Sequence, residues 1–265
     1  MAKHTTEHLV HIPAGAVTLE GELFLPPGTQ GVVVFAHGSG SSRHSPRNVF
    51  VAQALQSAGL GTLLFDLLTR AEDTDYETRF DIALLTRRLS AATHWLHQQP
   101  QTKSLAIGYF GASTGAAAAL QAAATLGSAI KAVVSRGGRP DLAGAALPHV
   151  TAPTLLIVGG EDHGVIELNQ GAYALLRSEK QLTIVPGATH LFEEPGTLEA
   201  VARLAAQWFM QHLSTAVALL RDMINWCIEN PLEGPKLADN DPKMKALEAY
   251  ILDQRKGVAL EAGKH

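Results

Sequence analysis

The chain has 265 residues and a net charge of −4, with 46% hydrophobic and 17% charged residues, which fits one globular domain of ordinary size with a large core. The acidic balance gives no electrostatic footprint for nucleic acid, and no apolar run is long enough to span a bilayer, so neither nucleic acid nor membrane is expected as a partner. The lone cysteine, Cys227, leaves no internal disulfide to form; with no h-region behind Met1, a cytoplasmic location is expected.

At the start, His4-Thr5-Thr6-Glu7-His8 matches a zinc-peptidase spacing. That chemistry needs both histidines on one face of an ordered helix. Leu9 to Pro13 instead reads as a strand with a proline stop, so a frayed tail and no metal site are expected. Residues 8–12 and 17–25 read as two antiparallel strands, the second alternating through Val17, Leu19, Gly21, Leu23 and Leu25 and ended by Pro26-Pro27-Gly28. Gly31 to Ala36 is a continuous apolar strand of the kind buried on both faces. It runs into His37-Gly38-Ser39-Gly40-Ser41-Ser42, a loop of small residues that lets backbone approach a ligand. A helix is expected from Asn48 to Ala58, a strand from Gly61 to Asp66 and a long amphipathic helix from Phe80 to Gln98. A strand beginning at Leu105 turns at Ser113 into an Ala-rich helix. Strands follow at Lys131–Ser135, Thr154–Gly160 and Leu182–Pro186, with helices at Glu167–Arg177 and Gly196–His212.

Short strands alternating with helices predict an α/β fold, a mainly parallel sheet of about eight strands covered on both faces. Sites on such sheets lie at the carboxyl ends of the strands. The connection from Arg136 to Pro153 has room for one short helix around Leu142 to Leu147, so only a minimal cap is expected. Residues 1–213 form the expected domain. Residues 214–265 are expected to be a helical extension: Val217, Leu220, Ile224 and Cys227 share one helical face, Pro231 to Pro235 breaks the segment, and Asp241 to Lys256 suits a second helix. Its apolar stripe is expected to pack on the domain or on a second subunit, giving a homodimer in the latter case.

The turn after the Leu105 strand carries Gly111-x-Ser113-x-Gly115, the nucleophile-elbow pattern, in the strand–turn–helix setting that this pattern requires. A serine in so tight a turn needs nearly side-chain-free neighbours, which explains the two glycines. Gly108, Gly111 and Gly115 also suggest a dinucleotide loop, but the spacing is wrong and no acidic residue follows about 20 residues on. A serine nucleophile needs a base and a group to orient that base. In this topology the order is Ser, acid, His, and Asp162 and His190 stand after two later strands in that order. Glu161 is the alternative acid and His163 the alternative base.

The chain resembles the α/β-hydrolases, specifically the small dienelactone-hydrolase-like hydrolases, over roughly residues 8–213. The resemblance rests on His37-Gly38-Ser39-Gly40, Gly111-Ala112-Ser113-Thr114-Gly115, Gly159-Gly160-Glu161-Asp162 and Gly187-Ala188-Thr189-His190. It implies Ser113 as nucleophile, His190 as general base, Asp162 as orienter, and an oxyanion hole from the N–H groups of Thr114 and Ser39. Dienelactone hydrolase itself uses cysteine, and the serine here favours ordinary ester hydrolysis without cofactor or metal. Arg136 and Arg139 follow a strand and are candidates to grip a substrate carboxylate; Arg43 and His44 are similar, and His37 is the loop histidine beside them. The expected activity is cleavage of small, short-acyl esters. The alternatives are an acyltransferase or thioesterase with the same triad, or a non-catalytic binding homologue.

Overall fold

The computed structural model describes residues 6–213, 242–244 and 246–247, and the chain divides after Leu213 into two units. The calls on Val217, Leu220, Ile224, Cys227 and the segment beyond them lie outside the described residues. The described domain is an eight-stranded sheet: β1 (Thr6–Ala14), β2 (Val17–Leu25), β3 (Gly31–Ala36), β4 (Gly61–Phe65), β5 (Ala106–Ala112), β6 (Ile130–Arg136), β7 (Thr154–Gly159) and β8 (Lys180–Val185). The strand order is β1-β2-β4-β3-β5-β6-β7-β8; β1 and β2 pair antiparallel, β2 joins β4 antiparallel, and all other pairs are parallel.

The inner strands are predominantly apolar because helices cover both faces. On one face, α2 (Ile82–Gln98), α3 (Thr114–Leu126) and α4 (His163–Leu175) bury Leu85, Leu89, Leu96, Leu120 and Ala172 against Val32, Val34, Leu63 and Leu156. On the other, α1 (Pro46–Ser57) and α5 (Thr197–Leu213) bury Val51, Leu55, Val201 and Phe209 against Val33, Phe35, Phe110 and Val134. Full burial of one such side chain stabilises the fold by about 1.5–3 kcal/mol. Helix starts follow local chemistry. Asp81 caps α2 by accepting the Leu84 N–H at 2.9 Å, and Pro46 occupies the first turn of α1, where its missing N–H costs nothing.

Two expectations shift. β1 runs through Pro13 to Ala14, because it is the edge strand and proline's missing N–H is tolerated there. The Glu7 and His8 of the zinc-peptidase spacing therefore lie on a strand, not a helix. α4 begins at His163, four residues before the expected Glu167, which puts Asp162 at its N-cap.

Consecutive crossovers reverse direction at β3: β3 leads to β4 on one side, and β4 leads to β5 on the other. The crevice beyond the carboxyl ends of β3 and β5 is the topological switch point where such sheets place ligands. The His37–Ser42 loop and Ser113 both open there. The β6–β7 connection holds only a 3-10 stretch from Pro140 to His149, so this connection builds no cap domain among the described residues.

Candidate active site

Ser113 adopts φ 51°, ψ −122° between β5 and α3. An L-residue holds that conformation only where its surroundings over-determine it. They do so here through close packing. A Cβ on Gly115 would overlap the Ala36 carbonyl, and one on Gly111 would lie 2.5 Å from the Ala116 Cα. The Ser113 N–H donates to the Arg136 carbonyl at 3.3 Å, and the Ser113 carbonyl accepts from the Arg139 N–H at 3.0 Å. The half-buried serine thus projects from a rigid elbow at the N-terminus of α3, where backbone N–H groups and the helix dipole favour negative charge.

Asp162 is the N-cap residue of α4, yet its side chain makes no cap hydrogen bond. It turns instead to His190, whose Nδ1 donates to Oδ2 at 2.6 Å. A side-chain cap is worth about 1 kcal/mol, and this helix forgoes it. The loops bearing the two residues are joined by backbone bonds from the Gly160 N–H to the Val185 carbonyl, 2.8 Å, and from the Glu161 N–H to the Ala188 carbonyl, 2.9 Å. Glu194 braces the histidine loop, accepting from the Thr189 hydroxyl at 2.6 Å and the Thr189 N–H at 3.1 Å. Those bonds, the Thr189 hydroxyl first, hold the Glu194 carboxyl below its ordinary range. The alternatives Glu161 and His163 face each other at 3.9 Å on the exposed surface. No hydrogen bond joins Ser113 Oγ to His190 among the described residues; such contacts commonly tighten only with substrate in place.

The two residues expected at the oxyanion hole are bonded to each other: the Ser39 N–H donates to Thr114 Oγ1 at 2.9 Å. The Thr114 N–H, in the first turn of α3, has no partner among the described residues. His37 is buried. Its Nδ1 donates to the Gly38 carbonyl and its Nε2 accepts from the Leu67 N–H, both at 3.0 Å, which fixes a neutral tautomer. Burial holds its pKa below the ordinary value against the Gly38 carbonyl, Asp66 and Asp73, which pull it up. His37 therefore ties the loops after β3 and β4 together rather than offering a free ring to substrate.

The arginines separate sharply. Arg43 is filled by three carboxylates, Asp66, Glu20 (2.9 Å) and Glu22 (3.4 Å), and it shapes the loop after β3 rather than waiting for substrate. His44 is exposed beside Glu22 at 3.6 Å. Arg139 forms a two-pronged pair with Asp141 at 2.9 and 2.7 Å, so its fork is occupied. Arg136 is buried and faces no carboxylate among the described residues. Burial, and then the charge of Arg47, pushes it down to about 10, so it stays cationic at neutral pH.

The site is shallow: the His190 side chain is 40% exposed. A cavity of about 400 Å³, lined by Leu19, Leu68, Glu20, Arg43, Asp66 and Asp73 among others, lies beside His37, and none of Ser113, Asp162 and His190 lines it. Sequence reasoning passed over Glu194, the Thr114 hydroxyl and Arg47. The signal for Glu194 was a carboxylate five residues after the threonine of Gly187-Ala188-Thr189-His190.

The dienelactone hydrolase family model matches residues 19–217. A Mycobacterium tuberculosis protein named as a candidate phosphoribosyl transferase is 61% identical over 204 residues, 77% of this chain and 46% of that protein. The chain thus spans about half the length of the curated relatives it matches. A dienelactone hydrolase structure from Anabaena variabilis is 58% identical, with a TM-score of 0.78 over 79% of this chain and 99% of that one. More distant structures share the fold. An esterase from Pyrococcus furiosus is 20% identical, TM-score 0.65, over 79% of this chain and 94% of its own. A serine hydrolase without a lid from Xanthomonas campestris is 20% identical, TM-score 0.65, over 80% and 98%. No helix among the described residues is long and apolar enough to cross a membrane.

Proposed function

The chain belongs to the dienelactone hydrolase family, and we propose that it hydrolyses small, short-acyl carboxylic esters through an acyl-enzyme on Ser113. The observation that carries this reading is the 2.6 Å Asp162–His190 bond, made at the cost of a helix cap, at the same sheet edge as the strained Ser113 elbow. In this reading Asp162 holds His190 with Nδ1 protonated, leaving Nε2 to take the Ser113 proton as Oγ attacks the ester carbon. The Thr114 N–H stabilises the oxyanion, joined by the Ser39 N–H once it leaves the Thr114 hydroxyl, and such stabilisation is the largest single contribution in these reactions. The protonated His190 passes its proton to the leaving alcohol. Water, activated by the same imidazole, then releases the acid. No metal or cofactor takes part in these steps. The proposal concerns the half of the curated relatives that this chain matches, and their name does not extend to it.

The test is a fluorophosphonate probe followed by mapping of the labelled residue. Labelling of Ser113 that is lost in Asp162→Asn supports the proposal. An unlabelled Ser113 in folded protein overturns it.

A further inference from the structure

Two arginines are buried among the described residues, Arg88 and Arg136. Arg88 has partners for both terminal nitrogens, the Ala14 carbonyl at 2.6 Å and Glu72 at 2.5 Å, although its Nε, like that of Arg136, is sealed without one. Arg136, 6% exposed, has no such partner. Its Nε is sealed from solvent with no hydrogen bond, while neither terminal nitrogen is sealed in this way. Its one recorded neighbour of matching character is the Phe192 ring, 5.8 Å from Cζ, near the limit of a cation–π contact. The one charge recorded as acting on it is another cation, Arg47, which pairs with the exposed carboxylate of Glu193 at 2.9 Å and also carries a sealed, unpartnered Nε.

Folding alone does not explain such an arrangement. A buried charge is normally paired, and replacing an unpaired one with an apolar side chain of similar size is generally stabilising. The position is also next to the proposed chemistry. Arg136 ends β6, its carbonyl accepts from the Ser113 N–H, and its neighbour Gly137 packs against His190, where a Cβ would lie 3.6 Å from Cε1. Phe192, beneath the guanidinium, is two residues beyond His190 and is itself held at φ 57°.

We infer that Arg136 is an oxyanion-binding subsite next to the active centre that takes a carboxylate or phosphate carried by the ester substrate. This rests on the proposed hydrolysis for its catalytic consequence, but not for the binding itself. A guanidinium presents a planar fork that matches either group and, unlike an ammonium, is weakly hydrated enough to be kept in a slot. Arg43 and Arg139, whose forks are filled by the protein's own carboxylates, have no such capacity to spare.

The full chain is titrated at constant ionic strength with inorganic phosphate and with succinate, chloride serving as control, and melting temperature is read. The wild type should show a saturable rise with one of the two, which also tells phosphate from carboxylate, and Arg136→Met should lose it. Arg136→Met should itself melt no lower than the wild type. In turnover, p-nitrophenyl hemisuccinate is compared with neutral p-nitrophenyl butyrate, and acetylated glycerol 3-phosphate with acetylated glycerol. The ratio of kcat/KM for the preferred anionic substrate to its neutral partner should be about tenfold or more and fall towards one in Arg136→Met. Arg136→Lys should recover only part of it. An anion response equal in wild type and Arg136→Met overturns the inference. So does a large loss of melting temperature in Arg136→Met with the substrate ratio intact in Arg136→Lys, since the arginine would then be structural. If the wild type cleaves none of the esters, hydrolysis fails as a reading, and the phosphate and succinate titrations still decide the subsite.

Discussion

Ser39 and Thr114, 75 residues apart in sequence, are joined by a 2.9 Å hydrogen bond from the Ser39 N–H to the Thr114 hydroxyl. The loop after β3 is thereby tethered to the first residue of α3, the one that follows the proposed nucleophile. In the resting chain this bond occupies one of the two donors assigned to the oxyanion, and it sets that donor's distance from Ser113. Thr114→Val keeps the side-chain shape but removes the acceptor. It should lower kcat about tenfold with KM nearly unchanged, a loss of about 1.4 kcal/mol in transition-state stabilisation, and Thr114→Ser should restore it. Steady-state kinetics on one ester series checks this, and an unchanged kcat would show that the tether does not position the loop.

Replacing Ser113 separates chemistry from strain. Ser113→Ala should abolish ester turnover by several orders of magnitude, because the base then has no hydroxyl to activate. Ser113→Gly should be equally inactive yet more stable than the wild type by about 1 kcal/mol. Relief of an unfavourable φ of 51° outweighs the extra freedom glycine gives the unfolded chain. Urea unfolding of both variants is the measurement. A glycine variant less stable than the alanine one would mean that the elbow stores no strain.

The buried His37 makes stability depend on pH with a definite sign. Burial lowers its folded pKa below the ordinary 6.5, despite the opposing Gly38 carbonyl, Asp66 and Asp73. In the window between that lowered value and about 6.5 the unfolded chain binds the proton and the folded chain does not. Stability is therefore full above about pH 6.5 and falls as pH drops through the window. His212, lowered chiefly by burial against the pull of Glu179, adds in the same direction. Melting temperature should fall as pH drops below about 6.5, and the slope should shrink in His37→Gln. An equal slope in that variant would assign the effect elsewhere.

Acyl-chain selectivity should peak at short esters. The link between β6 and β7 is a 3-10 stretch rather than a cap, and the segment after β4 carries ion pairs such as Arg79–Asp73 at 2.9 Å rather than an apolar wall. Each methylene contributes about 0.8 kcal/mol only when it leaves water, so long chains gain little on an open site. The measurement is kcat/KM for p-nitrophenyl esters from acetate to palmitate, and a maximum at long chains would refute the expectation.

Much of this was readable from the residues, for identifiable reasons. The inner strands β3 to β7 are mostly apolar runs with no competing periodicity; Ser113 follows β5 directly, Asp162 stands just past β7, and His190 stands in the turn after the edge strand β8. The start of α4 was not readable, because Asp162-His163-Gly164 carries the marks of a loop while the helix beginning there is fixed by tertiary contacts, among them Asn169 Nδ2 on the Gly138 carbonyl at 3.0 Å. The fates of the arginines were also hidden. Arg43 meets partners on β2 and after β4, 21 to 23 residues away, which spacing does not reveal. Arg139 was the exception, since Asp141 stands two residues on and closes its fork locally.

The tight seat of α3 has a consequence for how this protein can change. Ala116 lies under Gly111 and would clash with a side chain on Gly138, while Gly115 fits against the end of β3. The ends of β3, β5 and β6 therefore meet on one small helix turn with no room for another methyl group. Variation at these positions would move the nucleophile before it altered any substrate contact. New specificities, natural or selected in the laboratory, should accumulate in the segments after β4 and β6 and spare the first turn of α3, which leaves the reaction fixed while the clientele drifts.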